Sequence, residues 1–286
     1  MESETLKDIV VIYHADCRDG FGAAFAAWKK FKDTASYVPR KTQTPLPEGL
    51  TNKELYILDY SYDKETLQKL VDTNKSVLVI DHHQSAQADV ESFEGNIFDN
   101  NHSGAVLSWK YFHPDTIVPP LLEYIEDHDL WRFALPENRE FNTALGLYPM
   151  EFEAWDTIIE KLKYEDELVN FLAKGALISK FEDKIVTSQL EYKERVLFEG
   201  NEVWALNVSR TYRSILGNRL AGLNLQEEQT PIGIVYYRYG GNVHISLRSH
   251  GDTNVSEIAQ KYGGGGHKNA ASFRVKSFSE LPFTFI

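Results

Sequence analysis

The sequence predicts an α/β protein: an N-terminal, mainly parallel sheet flanked by helices, a helical linker, and a smaller C-terminal α+β domain. Three observations predict it. Over about the first 150 residues, short apolar runs rich in β-branched side chains alternate with helix-like stretches of about ten residues, the pattern of βαβ units. From Glu151 to about Glu199 proline disappears and dense charge with helical periodicity sets in. Beyond that point β-rich segments return around glycine turns. The expected domains are 1–150, the linker 151–199, and 200–286.

Asp8–Tyr13 (DIVVIY) is the first strand-like run, and it terminates in His14-Ala15-Asp16-Cys17-Arg18-Asp19-Gly20. Residues 21–30 (FGAAFAAWKK) follow as a helix whose small side chains allow close packing on a sheet. Tyr37-Val38-Pro39 predicts a short strand and Thr42–Leu50 a proline-rich loop. Leu55–Leu58 (LYIL) is the next strand, ending at Asp59, with a helix over about 63–72. Val77–Ile80 reads as a strand buried on both faces, and it stops abruptly at Asp81-His82-His83. Ile97–His102 predicts a strand and its loop, and Ser103-Gly104-Ala105 opens a helix to about Phe112. Pro119-Pro120 starts another, ending in Glu126-Asp127-His128-Asp129 ahead of Trp131 and Phe133.

The linker predicts two or three amphipathic helices, the last long enough to bridge two lobes. Val203–Val208, Ile232–Arg238 and Val243–Leu247 read as strands, the latter two joined by a Gly240-Gly241 hairpin turn. A helix from Asn254 to Tyr262 runs into Gly263-Gly264-Gly265-Gly266-His267, and Ala271–Val275 is another strand.

Composition excludes several classes. At 42% hydrophobic and 25% charged, the 286 residues have the make-up of a globular protein with ample core. No run approaches the roughly 18 apolar residues of a membrane span. The opening MESETLKDIVVIYHAD is acidic and enters a strand at once, unlike a signal peptide. A single cysteine, Cys17, excludes an internal disulfide and fits a cytoplasmic setting. The formal charge of -12 argues against wrapping long duplex nucleic acid, which depends on neutralising phosphates, but not against small anionic substrates.

The chemistry follows from where the strands stop. In open α/β sheets, ligands bind just beyond the carboxyl ends of the strands. Three strand-like runs end in acids and imidazoles there, and so many carboxylates in one cleft would repel unless a cation drew them together. His14, Asp16, Asp19, Asp59 and His82 are five candidate ligands, enough for two metal ions. Asp59 is the natural bridge, because its strand is expected between the other two. Asp127 and Asp129 offer one more acid, and the spacing does not choose between them. Cys17 lies among carboxylates that raise its pKa, which leaves it a bystander or an occasional soft ligand. In the last domain, Gly263, Gly264, Gly265, Gly266 and His267, with Lys268 beside them, read as an anion cradle within reach of Arg248.

The Asp81-His82-His83 triplet after an apolar strand, with His14, Asp16, Asp19 and Asp59 upstream, resembles the DHH phosphoesterase superfamily. The glycine run with Ser246-Leu247-Arg248-Ser249 is similar to its DHH-associated C-terminal domain, in the oligoribonuclease and phosphoadenosine-phosphate phosphatase branch. The resemblance covers nearly the whole chain. It implies two lobes with the active site between them and two Mn²⁺ ions, Mg²⁺ or Co²⁺ sometimes serving. It makes His83 the phosphate-contacting residue, Asp81 the group that orients His82, and Arg248, the glycines and His267 the grip on a terminal phosphate or nucleotide. One departure stands out. Many members carry two acids separated by a single residue in the first motif, whereas Asp16 and Asp19 are three apart, which leaves direct coordination by Asp16 open.

The function implied is an Mn²⁺-dependent phosphohydrolase that uses a two-metal-activated water on short nucleotides: oligoribonucleotides, phosphoadenosine phosphate or dinucleotides. Hydrolysis of polyphosphate and a non-catalytic nucleotide- or RNA-binding module are the competing expectations, and a homodimer is left open.

Overall fold

Five parallel strands build the first sheet, in the order β2-β1-β3-β4-β5. The computed structural model describes residues 5–41 and 44–286, and these divide into two units, Met1–Ser179 and Lys180–Ile286. Residues 1–4 of the acidic opening, and Thr42 and Gln43 of the expected proline-rich loop, lie outside the described residues.

The first unit runs β1 (Ile9–His14), α1 (Arg18–Phe31), β2 (Ala35–Arg40), β3 (Glu54–Leu58), α2 (Lys64–Thr73), β4 (Ser76–Asp81), α3 (Gln87–Glu91) and β5 (Ile97–Phe98). Helices α4 (Gly104–Phe112), α5 (Pro120–Asp129), α6 (Asn138–Leu145) and α7 (Phe152–Lys161) complete it. Alternate side chains of the same strands supply two cores. Val11 and Leu58 pack under α1, α4 and α5 on one face, while Val10, Ile12 and Ile57 pack against Leu67 and Leu70 of α2 on the other. That two-faced burial is why the strands read as continuous apolar runs rather than alternating ones. In α1, Ala23, Ala24, Ala26 and Ala27 are fully buried, so the helix lies close on the sheet and against α4.

Local chemistry sets the helix starts. Asp63 caps α2 by accepting from the Thr66 amide at 2.9 Å. Ser103 caps α4, and Pro120 occupies the first turn of α5, where a missing N–H costs nothing. A 26-residue helix, α8 (Glu165–Leu190), passes through the boundary between the units. Among the described residues, no helix is long and apolar enough to cross a membrane.

The second unit is a seven-stranded sheet made of β6 (Glu194–Phe198), β7 (Asn201–Asn207), β8 (Ile232–Tyr239), β9 (Asn242–Ser249), β10 (Gly265–His267), β11 (Ala270–Val275) and β12 (Phe283–Phe285). Among the described residues only the β7–β8 pair is parallel here, and the crossover between them is α9 (Arg213–Gln226). A second helix, α10 (Val255–Lys261), covers the opposite core with Val255 and Ala259.

Helices α3 and α6 and strand β12 were not part of the sequence reading, and three further differences have a clear physical reason. Helix α9 was not expected, because Gly217 and Gly222 interrupt its helical pattern; Gly217 is needed where the helix meets the Arg248 side chain. The chain at 194–198, expected to be helical, forms β6 in a hairpin with β7. The glycine run is not an open loop. The Gly263 and Gly264 amides donate to Gln260 and Ala259 carbonyls, finishing α10, and Gly265 and Gly266 enter β10 against β11.

Candidate metal centre

Strand order delivers the first contacts. With β3 between β1 and β4, the carboxyl ends of all three are adjacent, and the order reverses direction at β1. That is the switch point where such sheets bind ligands. His14 ends β1, Asp59 follows β3, and His82 and His83 follow β4.

Asp59 is the hub. It is 1% exposed and holds a left-handed backbone (φ 53°), which turns its side chain back over the strand ends. His82 Nε2 lies 3.1 Å from Asp59 Oδ1, and His14 Nδ1 lies 3.5 Å from Oδ2. Yet neither carboxylate oxygen receives a hydrogen bond of acceptable geometry, and the buried His14 Nδ1 has no partner either. Buried polar atoms are almost always satisfied, so three orphans facing one another need an explanation. A cation supplies it.

Around this hub the ligand atoms fall into overlapping groups. His14, Cys17 and Asp59 place one atom each within 4.8 Å of one another, as do Asp59, His82 and His83, and as do Asp19, His82 and Asp129. The groups share Asp59 and His82, the arrangement expected of a site for more than one ion.

Two glycines make room for it. A Cβ on Gly20 would stand 2.2 Å from the His14 carbonyl, and one on Gly104 would stand 2.5 Å from the Asp59 Cβ. Gly104 opens α4, and its amide donates to Asp19 Oδ2 at 2.7 Å while the Ala105 amide donates to Oδ1 at 3.0 Å. Asp19 is thus fixed by a helix N-terminus, where N–H groups and the helix dipole favour an anion. The sequence signal was present in Ser103-Gly104-Ala105, but nothing in the chain order tied it to Asp19, which lies 85 residues earlier.

The charges are strongly coupled. Burial and the nearby Asp59 and Asp129 charges hold Asp19 well above the usual carboxylate range. Burial and Asp59 also raise Asp129. Burial opposes ionisation of Asp59, but His14, His82 and His83 overcome it and hold its carboxyl below the ordinary range. Burial disfavours the charged form of His82, but Asp59, Asp19 and Asp129 push it up to about 10. Burial acts likewise on His83, which Asp81 and Asp59 push up to about 9. Burial first, then Asp59, Asp19 and Asp129, pushes the Cys17 thiol up, against thiolate chemistry.

The other expected residues separate. Asp81 Oδ1 lies 2.6 Å from His83 Nδ1 and accepts the His82 and His83 amides, so it orients the ring of His83 and not that of His82. Asp129 Oδ2 is 3.6 Å from His82 Nε2. Asp127 points elsewhere: its carboxylate accepts from the Ala134 and Leu135 amides and from Asn138 Nδ2 at 2.7 Å. Asp16 is exposed, pairs with Lys41 Nζ at 2.5 Å, and joins none of the ligand groups.

In the second unit, Arg248 Nη1 donates to Ser246 Oγ and the Leu247 carbonyl, and Nη2 to Ser214 Oγ on α9. Its Nε is buried without a partner. Among the described residues no carboxylate neutralises it, and burial together with Arg213 pushes it down to about 10. His267 lies at the end of β10.

The profile of the DHHA1 domain matches residues 212–282. With the site above, this places the chain in a defined class: it belongs to the DHH phosphoesterase superfamily and carries that superfamily's associated C-terminal domain. Among its relatives, an uncharacterized protein of Acanthamoeba polyphaga mimivirus is 30% identical over 301 residues, covering 96% of this chain and 69% of that protein. Oligoribonuclease NrnB of Bacillus subtilis is 26% identical over 213 residues, covering 71% of this chain and 51% of that one. A solved DHH domain, described as coming from a member of a family of ribosomal proteins, shares the fold at a TM-score of 0.52 and 14% identity, covering 98% of this chain and 83% of that one.

Proposed function

We propose that the protein is a metal-dependent phosphodiesterase that hydrolyses short nucleotides, with two Mn²⁺ ions as its cofactor and a cytoplasmic setting. The observation that carries this reading is Asp59: a buried carboxylate with two unsatisfied oxygens, flanked by imidazoles, at the switch point of a parallel sheet. Mixed imidazole and carboxylate ligands suit Mn²⁺ and Co²⁺, and Mg²⁺ where carboxylates dominate. His14, Asp19, Asp59, His82 and Asp129 would hold the ions, with Asp59 shared. When bound, such a pair supplies an acidified water and positive charge for the phosphoryl oxygens.

The chain's own groups divide the remaining work. Asp81 holds the His83 ring by Nδ1, and the protonated imidazole presents positive charge to a phosphoryl oxygen. Burial of Asp19 and Asp59 keeps bulk water from competing for the ligands. Arg248, without a counter-ion, would bind the substrate's terminal phosphate. With Gly263 and Gly264 amides already used, the grip rests on Arg248, with His267 in register across the intervening β11, rather than on a glycine cradle. The name of the Bacillus subtilis relative supports oligoribonucleotides as the substrate class.

The test is turnover of a diribonucleotide, phosphoadenosine phosphate and polyphosphate, each with Mn²⁺ and after exhaustive chelation. The reading predicts Mn²⁺-dependent hydrolysis of the nucleotides above polyphosphate. Activity that survives chelation, or preference for polyphosphate, contradicts it.

A further inference from the structure

The segment that follows Asp129 does something no ligand role explains. Trp131 and Phe133 are both held in the left-handed region, at φ 54° and 47°. For bulky aromatic residues such backbone is a genuine outlier, and outliers of this kind persist only where the surroundings enforce them. Here they are enforced. The Arg132 amide donates to the Asp127 carbonyl at 3.0 Å, and the Ala134 and Leu135 amides bind the Asp127 carboxylate. The Arg132 side chain binds Glu126 and the Asn101 carbonyl.

A segment so constrained would ordinarily turn its large rings inward. This one turns them out: Trp131 is 50% exposed and Phe133 45%. The two rings meet edge to face, 5.3 Å apart at 89°, and Phe133 in turn meets His128 edge to face at 5.5 Å. Phe133 therefore stands between the indole and His128 at the end of α5 and braces the indole from that side. Trp131 is two residues beyond Asp129, so their Cα atoms stand at most about 7 Å apart.

We propose that Trp131, braced by Phe133, is a stacking platform for a nucleobase one sugar away from the phosphoryl group being cleaved. This rests on the phosphodiesterase reading and sharpens it. The preferred substrates carry a base beside the scissile phosphate, and base identity matters little, because every base offers a π-face. Polyphosphate gains nothing from such a platform.

The experiment compares KM for terminally phosphorylated diadenylate with KM for its abasic counterpart, using Mn²⁺-loaded full-length protein. In the wild type the abasic KM should be higher by about fivefold or more, the range that stacking supplies. Trp131→Phe, which keeps a ring, should retain most of that ratio. Trp131→Leu, which keeps apolar bulk without a π-face, should bring it close to one. A wild-type ratio near one, or an unchanged ratio in Trp131→Leu, overturns the platform while the phosphodiesterase reading stands. If the wild type hydrolyses neither substrate, that reading fails and the platform with it.

Discussion

Gly104 and Asp59 approach so closely that a single methyl group on the glycine would stand 2.5 Å from the Asp59 Cβ and 2.7 Å from its Oδ1. The start of α4 is thus pressed against the hub of the site, while its first amides hold Asp19. One helix N-terminus positions two acids from different elements, Asp19 of α1 and Asp59 after β3.

Gly104→Ala is therefore expected to damage the site before the fold. Overpacking of this kind costs about 1–3 kcal/mol, so thermal denaturation should show a modest loss. Isothermal titration with Mn²⁺ should show a much larger loss of affinity, because Asp59 must move.

Asp127 and Asp129 should behave as opposites. Asp127→Asn replaces an acceptor that serves two amides and Asn138, so it should lower the melting temperature and leave Mn²⁺ stoichiometry intact. Asp129→Asn should lower stoichiometry or affinity with little effect on melting. Metal analysis and calorimetry on the two variants check the assignment directly.

Asp81→Asn tests the orientation of His83. An amide oxygen can still accept from the two backbone N–H groups, but the charge that holds and raises the imidazole is gone. Loss of an orienting partner typically costs about 10–100-fold. The expected result is a fall in kcat of that order with bound Mn²⁺ unchanged. Loss of metal instead would place Asp81 behind His82.

Stability of the metal-free protein should depend on pH in a defined direction. His82 and His83 are raised from 6.5 to about 10 and about 9 by Asp59, Asp19, Asp129 and Asp81 overcoming burial. Groups raised in the fold stabilise it fully below their unfolded value, and the benefit is lost as pH climbs through the folded values. The melting temperature of metal-free protein should thus fall between pH 6.5 and about 10, and less steeply in a His82→Asn, His83→Asn double variant. Equal slopes in the two proteins would show that these imidazoles are not coupled to the acids.

Much of this was legible in the chain. The apolar runs ending at His14, Asp59 and His82 gave three parallel strands with their carboxyl ends together, because burial on both faces leaves an unbroken β-branched signature. The placing of β3 between its neighbours followed. What stayed hidden was long-range. Asp19 meets α4 across 85 residues, and only folding shows it. Asp127 and Asp129 differ by less than one helical turn, so which points inward depends on where the segment after α5 sends its amides. Helix α9 was concealed by Gly217 and Gly222, which weaken helical propensity, Gly217 at the place where a Cβ would meet the Arg248 side chain of β9 at 2.9 Å. The glycine run looked like a cradle because composition does not reveal that its amides finish a helix and join a strand.

The central claim is that Asp59 is shared by cations at the strand ends. Crystals soaked in Mn²⁺ and measured at the manganese absorption edge test it most directly. The account predicts anomalous peaks bonded to Asp59, with His14, His82, Asp19 and Asp129 completing the shells. Peaks at Asp16 or Asp127 with none at Asp59, or no peak near the three strand ends, would contradict it.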